Sequence, residues 1–363
     1  MIPEAWFIGA HWSVLLVVGA VAMFTLMHGA DWLVKGASGL AYELGVPKII
    51  VGATVVSLGT TAPECAVSVM AAWGGKSGLA LGNAVGSIIA DTGLIFGLGC
   101  LLVALPADRF LLSRQGWVQV GAATLLAALC YGVYAVDGQD ATLDRWVGVL
   151  FLAMLVAYMA ISIRWSKQMA GSATPTHGQG EPSAASSSEG VDGARTASRA
   201  KQTFLLLGLI VVGLAVVVLS SDVLIKSVSE LARQMGIPDV VIASTIVALG
   251  TSLPELVVGL TSLRRGHPEL LVGNVIGADI LNVLFVIGAA AIAMPLPIID
   301  PLATPPEIFL WLHLPMMMLV LLTFRVFIHA AVKKGRFSKW MGWPLVGMYL
   351  AFVIVQFVLS LAK

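Results

Sequence analysis

Long apolar runs separated by short polar breaks make up most of this chain. Crossing a hydrocarbon core of ~30 Å takes about 20 residues of helix. Runs of sufficient length fall near 12–42, 46–73, 79–104, 109–134 and 143–164, and again near 203–235, 238–264, 269–296, 306–330 and 342–362. Backbone in lipid must satisfy its own hydrogen bonds, so uninterrupted runs of this kind predict helices. The expectation is an all-α membrane protein with ten transmembrane helices. One stretch breaks the pattern. Residues 171–202, GSATPTHGQGEPSAASSSEGVDGARTASRAKQ, are rich in Gly, Ser, Ala and Pro and carry no large apolar side chain. Such a segment cannot bury enough surface to fold and is expected to be a disordered linker. The chain then divides into 1–165, a linker over 166–202, and 203–363. The first residues, MIPEAWFIGAHWSVLLVVGA, have no basic n-region or clear cleavage site, and are expected to belong to the first span.

Composition supports the membrane reading. Of the 363 residues 58% are hydrophobic and only 11% charged, against about 25% charged in soluble domains; mean hydropathy is +0.93. A net charge of +1 makes no case for nucleic acid as a partner. Cys65, Cys100 and Cys130 lie in apolar runs without disulfide or metal spacing and are expected to pack as small side chains. Basic residues cluster in alternate loops: Arg109 and Arg114; Arg164, Lys167, Arg195, Arg199 and Lys201; Arg264 and Arg265; Lys333, Lys334, Arg336 and Lys339. With ten spans these loops share one side, the cytoplasmic side by the positive-inside rule. Both termini are then expected outside, with the chain in the cell (inner) membrane.

The two sets of spans repeat one another at an offset of 191 residues. DWLVKGASGLAYELGVP (31–47) lies on DVLIKSVSELARQMGIP (222–238), TVVSLGTTAPE (54–64) on TIVALGTSLPE (245–255), and GNAVGSIIAD (82–91) on GNVIGADILN (273–282). Five spans is an odd number, so the halves enter the membrane from opposite sides. Inverted repeats of this kind mark secondary transporters, with the binding site near midplane where the halves meet.

The repeat places Glu64 and Glu255 at matching positions inside apolar spans, each directly after a proline. A buried charge there costs roughly 3 kcal/mol on insertion scales. Pro63 and Pro254 remove a helical hydrogen bond and free the carbonyl of Gly59 or Gly250. The expected result is a broken helix offering carbonyl oxygens, the hydroxyls of Thr60 and Thr61 or Thr251 and Ser252, and one carboxylate. Oxygens of this kind suit hard cations. Asp91 and Asn282 are repeat equivalents, and Ser87 shares the helical face of Asp91. Gly82, Gly86, Gly273 and Gly277 permit close helix approach. Four spans are expected to converge on Glu64, Glu255, Asp91 and Asn282. The absence of Cys or His clusters from this set speaks against zinc or copper.

Taken together, GTTAPE with GNAVGSIIAD, and GTSLPE with GNVIGADILN, resemble the paired alpha repeats of the sodium/calcium exchanger family, within the calcium/cation antiporter superfamily. The resemblance implies secondary antiport of Ca²⁺ against Na⁺ by alternating access, with these ions as cargo, the lipid bilayer as surroundings and no organic cofactor. It implies that Glu64 and Glu255 are shared ion ligands, that Thr60, Thr61, Thr251 and Ser252 add oxygens, and that spans one and six are long helices sliding against the rest. The chain departs from the family pattern in two ways. GSN is replaced by Gly86-Ser87-Ile88 and Gly277-Ala278-Asp279, and the acid and amide of spans three and eight are exchanged as Asp91 and Asn282. Both departures bear on ion ratio and selectivity. Asp279 is an extra acid, expected to face a neighbouring helix or the cytoplasmic mouth.

Alternatives remain at this level. Proton-driven export of Ca²⁺ or another divalent cation is one, although the proton-coupled branch tends to show GN before its glutamate where this chain has GT. An intramembrane protease using Asp91 or Asp279, or a cation channel, are others. Asp31 with Lys35 and Asp222 with Lys226 stand at helical i,i+4 spacing and are expected to pair structurally. His28 is expected to be a hydrogen-bonded structural histidine.

Overall fold

The computed structural model describes residues 4–172, 191–235, 248–300 and 306–361. Its long helices are α1 (Trp12–Leu44), the bent pair α2 (Lys48–Thr60) and α3 (Ala62–Trp73), α4 (Ser77–Leu102), α5 (Arg109–Asp137), α6 (Arg145–Ser172) and α7 (Val191–Gln234). A short α8 (Ala248–Thr251) and then α9 (Leu253–Arg264) follow, succeeded by α10 (Pro268–Ala293), α11 (Phe309–Lys334) and α12 (Gly342–Leu361). Eight of the described helices are singly long and apolar enough to cross a membrane, and the α2–α3 pair, bent by 41°, makes a ninth. The run expected near 238–264 is seen from Ala248 onward as α8 and α9; residues 238–247 lie outside the described residues.

Two boundaries differ from expectation. Helix α6 continues to Ser172 and α7 begins at Val191, so helix occupies both ends of the expected linker, 166–172 and 191–202. A helix already nucleated extends at little cost through Ala, Lys, Arg and Gln, which have high helix propensity. The stretch 173–190 lies outside the described residues.

Helices α4 and α10 form the centre of the molecule, buried along most of their length, while α1, α6, α7 and α12 present large apolar faces outward. The centre is built by glycine. A Cβ at Gly277 would lie 2.5 Å from the Ala53 carbonyl oxygen and 2.5 Å from Ser57 Oγ, so α10 touches the backbone of α2 directly. In the same way α1 and α7 cross at Gly29 and Gly213, where a Cβ on Gly213 would stand 2.6 Å from the Leu33 nitrogen. Small residues at such crossings let helices approach where lipid provides no hydrophobic drive.

Several local features recur at the 191-residue offset. Gly75 and Gly266 both take positive φ, 70° and 73°, and close the tight turns between α3 and α4 and between α9 and α10. Pro106 and Pro297 both bridge to the other half of the chain: Pro106 opposite Arg336, and Pro297 opposite Thr142 in a two-residue antiparallel pair, β1 (Thr142–Leu143) with β2 (Leu296–Pro297). Asp91 and Asn282 each lie within the first residues of a π-helical turn, Ala90–Phe96 and Asn282–Ile287. π-turns inside α-helices concentrate at functional sites because they widen the helix and re-aim a side chain.

Candidate cation site

The site begins with the two breaks. Helix α2 ends at Thr60 and α3 starts at Ala62; α8 ends at Thr251 and α9 starts at Leu253. Each new helix has proline in its first turn, where a missing N–H is harmless. Pro63 offers no N–H to the Gly59 carbonyl, and Pro254 none to that of Gly250. The glutamate follows in the same first turn, where exposed N–H groups favour a negative charge. Both breaks lean on one helix: a Cβ on Gly59 would meet Leu214 of α7 at 2.5 Å, and one on Gly250 would meet Ile225 of α7 at 2.7 Å.

The four carriers of the expected site pack together. Helix α10 lies against α2 and α9, α4 lies against α3 and α8, and the π-turn of α4 touches α9 and α10. Glu64, Glu255, Asp91 and Asn282 are each about 1% exposed. Glu64 stands within electrostatic reach of Glu255 and Asp91, and Asp91 within reach of Glu255 and Asp279. Thr60 and Thr61 adjoin the Glu255 carboxylate, and Ser252 adjoins that of Asp91. Among the described residues no Lys or Arg acts on any of these acids.

Many of the oxygens form no hydrogen bond of ordinary length and angle within the protein, although Ser252 stands near Asp91 and Thr61 near Glu255. These oxygens are both Oε of Glu64, Oε2 of Glu255, both Oδ of Asp91, Oδ1 of Asn282, and the hydroxyls of Thr61, Ser87 and Ser252. Native proteins pair nearly all buried polar atoms, so such a concentration calls for a ligand. Thr60 is different: its hydroxyl is directed to the Ser57 carbonyl at 3.3 Å and the Asn274 amide oxygen at 3.4 Å. Thr251 is half-buried at the end of α8. Among the described residues no three His, Cys, Asp or Glu side chains form a metal cage by themselves. The donor set is therefore mixed: acids reinforced by hydroxyl and amide oxygens, which suits Na⁺ and Ca²⁺ better than thiophilic metals.

Several neighbours of the site stand outside the residues expected from the sequence. Asn83 donates to the Glu64 carbonyl oxygen (3.3 Å) and to Ser68 Oγ (3.0 Å), fastening α3 to α4. Its repeat equivalent Asn274 accepts from Thr60, and its own Nδ2 is unpaired. The signal was present in the doubled Gly-Asn of GNAVG and GNVIG. Asp279 is fully buried and faces neighbours on two helices, accepting from Thr92 of α4 and Gln119 of α5. The expected Asp31–Lys35 pair is not what forms. Asp31 meets Arg265 at 2.7 Å, because the turn after α9 brings a guanidinium to it from the other half of the chain. Asp222 and Lys226 pair as expected, at 2.8 Å. His28 Nδ1 donates to the Phe24 carbonyl at 2.9 Å, the structural role expected of it.

Buried acids where broken helices meet, inside a bundle of apolar helices, define a multi-pass membrane protein of the cation antiporter class. The chain belongs to the sodium/calcium exchanger protein family, whose model matches it twice, over residues 14–164 and 205–358. It is 29% identical over 362 residues to the sodium/calcium exchanger MaX1 of Methanosarcina acetivorans, covering 94% of this chain and 97% of that relative. It is 31% identical over 291 residues to the inner membrane protein YrbG of Escherichia coli K12, covering 80% of this chain and 82% of the relative. Among solved structures, its fold is that of the sodium-calcium exchanger NCX_Mj soaked with Na⁺ and Sr²⁺, with a TM-score of 0.73 and 23% identity over 95% of this chain and 99% of the other.

Proposed function

We propose that this protein exchanges Ca²⁺ for Na⁺ across the membrane by alternating access, through ten spans arranged as two inverted five-helix repeats. In this reading the linker is cytoplasmic and both termini are outside. Glu64 and Glu255 are the shared ligands, and Asp91 supplies a third charge. Asn282, Ser87, Thr60, Thr61, Thr251 and Ser252 complete the shell with neutral oxygens.

The reading rests on one observation above the others. Two glutamates in repeat-equivalent, proline-broken helices are buried within electrostatic reach of each other, with three of their four carboxylate oxygens forming no ordinary hydrogen bond within the protein. Three carboxylates are neutralised by three Na⁺. One Ca²⁺ leaves a single negative charge, which a proton on one acid removes. A carrier that moves only when its acids are neutralised couples the two fluxes, because uncompensated charge in a low-dielectric interior costs several kcal/mol per ion. The breaks assist: helix-end carbonyls favour a cation, while N–H groups at the start of α3 and α9 hold the carboxylates.

The test is isotopic Ca²⁺ uptake into proteoliposomes containing the purified full chain, with a Na⁺ gradient and a pH gradient imposed separately. Uptake is expected to follow the Na⁺ gradient and to vanish in Glu64→Ala and in Glu255→Ala. Uptake that survives both single substitutions ends the proposal. Uptake driven by pH alone and indifferent to Na⁺ reassigns the coupling ion to H⁺.

A further inference from the structure

Beside the proposed exchange site lies a second buried polar cluster that the reading above does not use. Asp279 of α10 is 2% exposed, in the middle of a helix whose neighbours are almost wholly apolar. Its Oδ2 accepts from the Thr92 hydroxyl on α4 and from the Gln119 amide on α5. Its Oδ1 has no partner, nor has Oε1 of Gln119, itself 2% exposed. One turn earlier on α5, the side chain of Gln115 is fully buried and both its polar atoms lack protein partners. Among the described residues no basic side chain acts on Asp279.

With Asp279 ionised, Thr92 and Gln119 both donate to Oδ2. A neutral Asp279 would keep its proton on Oδ2, where the Thr92 hydroxyl turns to accept it, and would leave Oδ1 a buried carbonyl oxygen with no donor. An ionised Asp279 would be a bare charge at membrane depth. Both states leave an atom unsatisfied, and a small hard cation on Oδ1 resolves the second. The available oxygens are one carboxylate, the Gln119 amide oxygen and the Thr92 hydroxyl. A single formal charge with neutral oxygens balances a monovalent ion and leaves a divalent ion in excess.

We propose that Asp279, Gln119 and Thr92 form an accessory Na⁺ site adjoining Asp91, distinct from the Glu64–Glu255 centre. The inference rests on the exchange reading for its setting, but its ligands are different residues. An ion there neutralises the Asp279 charge that otherwise acts on Asp91.

The experiment measures binding, not transport. Full-length protein is purified in lipid nanodiscs as the Glu64→Gln/Asp91→Asn/Glu255→Gln variant, which lacks the acids of the main centre. Equilibrium binding of radioactive Na⁺ and of radioactive Ca²⁺ is then recorded. Saturable Na⁺ binding near one ion per chain is expected to persist, and to weaken at least tenfold on adding Asp279→Asn or Gln119→Leu. Absence of saturable Na⁺ binding overturns the proposal, as does binding that neither substitution weakens. If Asp279→Asn does not yield monodisperse protein, Gln119→Leu decides by itself. Ca²⁺ binding at wild-type strength in the triple variant would instead refute the Glu64–Glu255 centre, without bearing on this one.

Discussion

Replacing Gly277 by alanine probes the contact on which the proposed site is built. The new methyl carbon would sit 2.5 Å from the Ala53 carbonyl oxygen, 2.5 Å from Ser57 Oγ and 2.6 Å from Ala53 Cα. All three belong to α2. Ordinary contact starts at 3.4 Å, so α2 must retreat by about 0.9 Å, the shortfall between 3.4 and 2.5 Å. Backbone cannot rotate away as a side-chain tip would. Overpacking of this kind costs about 1–3 kcal/mol, and alanine returns up to ~1 kcal/mol of helix propensity. A net loss of about 1–2 kcal/mol is expected, equivalent to roughly a 5–30-fold change in an equilibrium. The retreat carries Ser57, Thr60 and Thr61 with it, and the Thr60–Asn274 contact, already long at 3.4 Å, is lost. Two assays report this: the thermal midpoint of the purified protein, and the initial rate of Na⁺-driven Ca²⁺ uptake in proteoliposomes, expected to fall at least fivefold. Gly121→Ala is the control, since nothing lies within 4 Å of its added carbon. It should be neutral or stabilising by up to ~1 kcal/mol. A Gly277→Ala protein with unchanged midpoint and unchanged uptake would show that the α2–α10 approach does not hold the hydroxyls in place.

Other outcomes follow from the same geometry. Asp91→Asn should shift the Na⁺ dependence of Ca²⁺ uptake, and an unchanged Na⁺ titration would remove Asp91 from the site. Arg265→Gln breaks an ion pair whose side chains are 38% and 41% exposed. Exposed pairs contribute about 0–1 kcal/mol, so the thermal midpoint should barely move, and a large drop would assign the pair a weight its exposure does not suggest. Burial, with the nearby Lys48 ammonium, lowers the pKa of His267; its Nδ1 lies 2.9 Å from Lys48 Nζ. The folded protein therefore holds fewer protons here than the unfolded chain. Its contribution to stability is complete above the unfolded value near 6.5 and is lost as pH falls below it. Thermal midpoints should decline from pH 7 to pH 5, and less so in His267→Gln; equal declines would exclude His267 as the source.

Much of the architecture could be read from the chain because membrane burial leaves few choices. An apolar run of the right length has to be a helix, and an offset that brings Glu64 onto Glu255 also brings Asp91 onto Asn282 and Gly75 onto Gly266. The proline-glutamate pairs identified the breaks, since proline acts through its own ring and needs no partner. What stayed hidden depended on partners distant in sequence. Asp31 has Lys35 one turn away, yet Arg265 reaches it through a turn that only the assembled bundle positions. Gln119 and Thr92 look like ordinary polar residues in apolar helices until Asp279 is placed between them. The π-turns at Ala90–Phe96 and Asn282–Ile287 carry no composition signal. Helix at 166–172 and 191–202 reflects propagation from apolar neighbours, which composition alone does not register.

Helix α7 rests against the glycine of each fracture, through Leu214 on one side and Ile225 on the other. A small shift of this single rod would therefore reach both breaks. A bulkier or smaller side chain at Leu214 or Ile225 would thus be expected to retune the pair as one object, even though neither residue offers an atom to an ion.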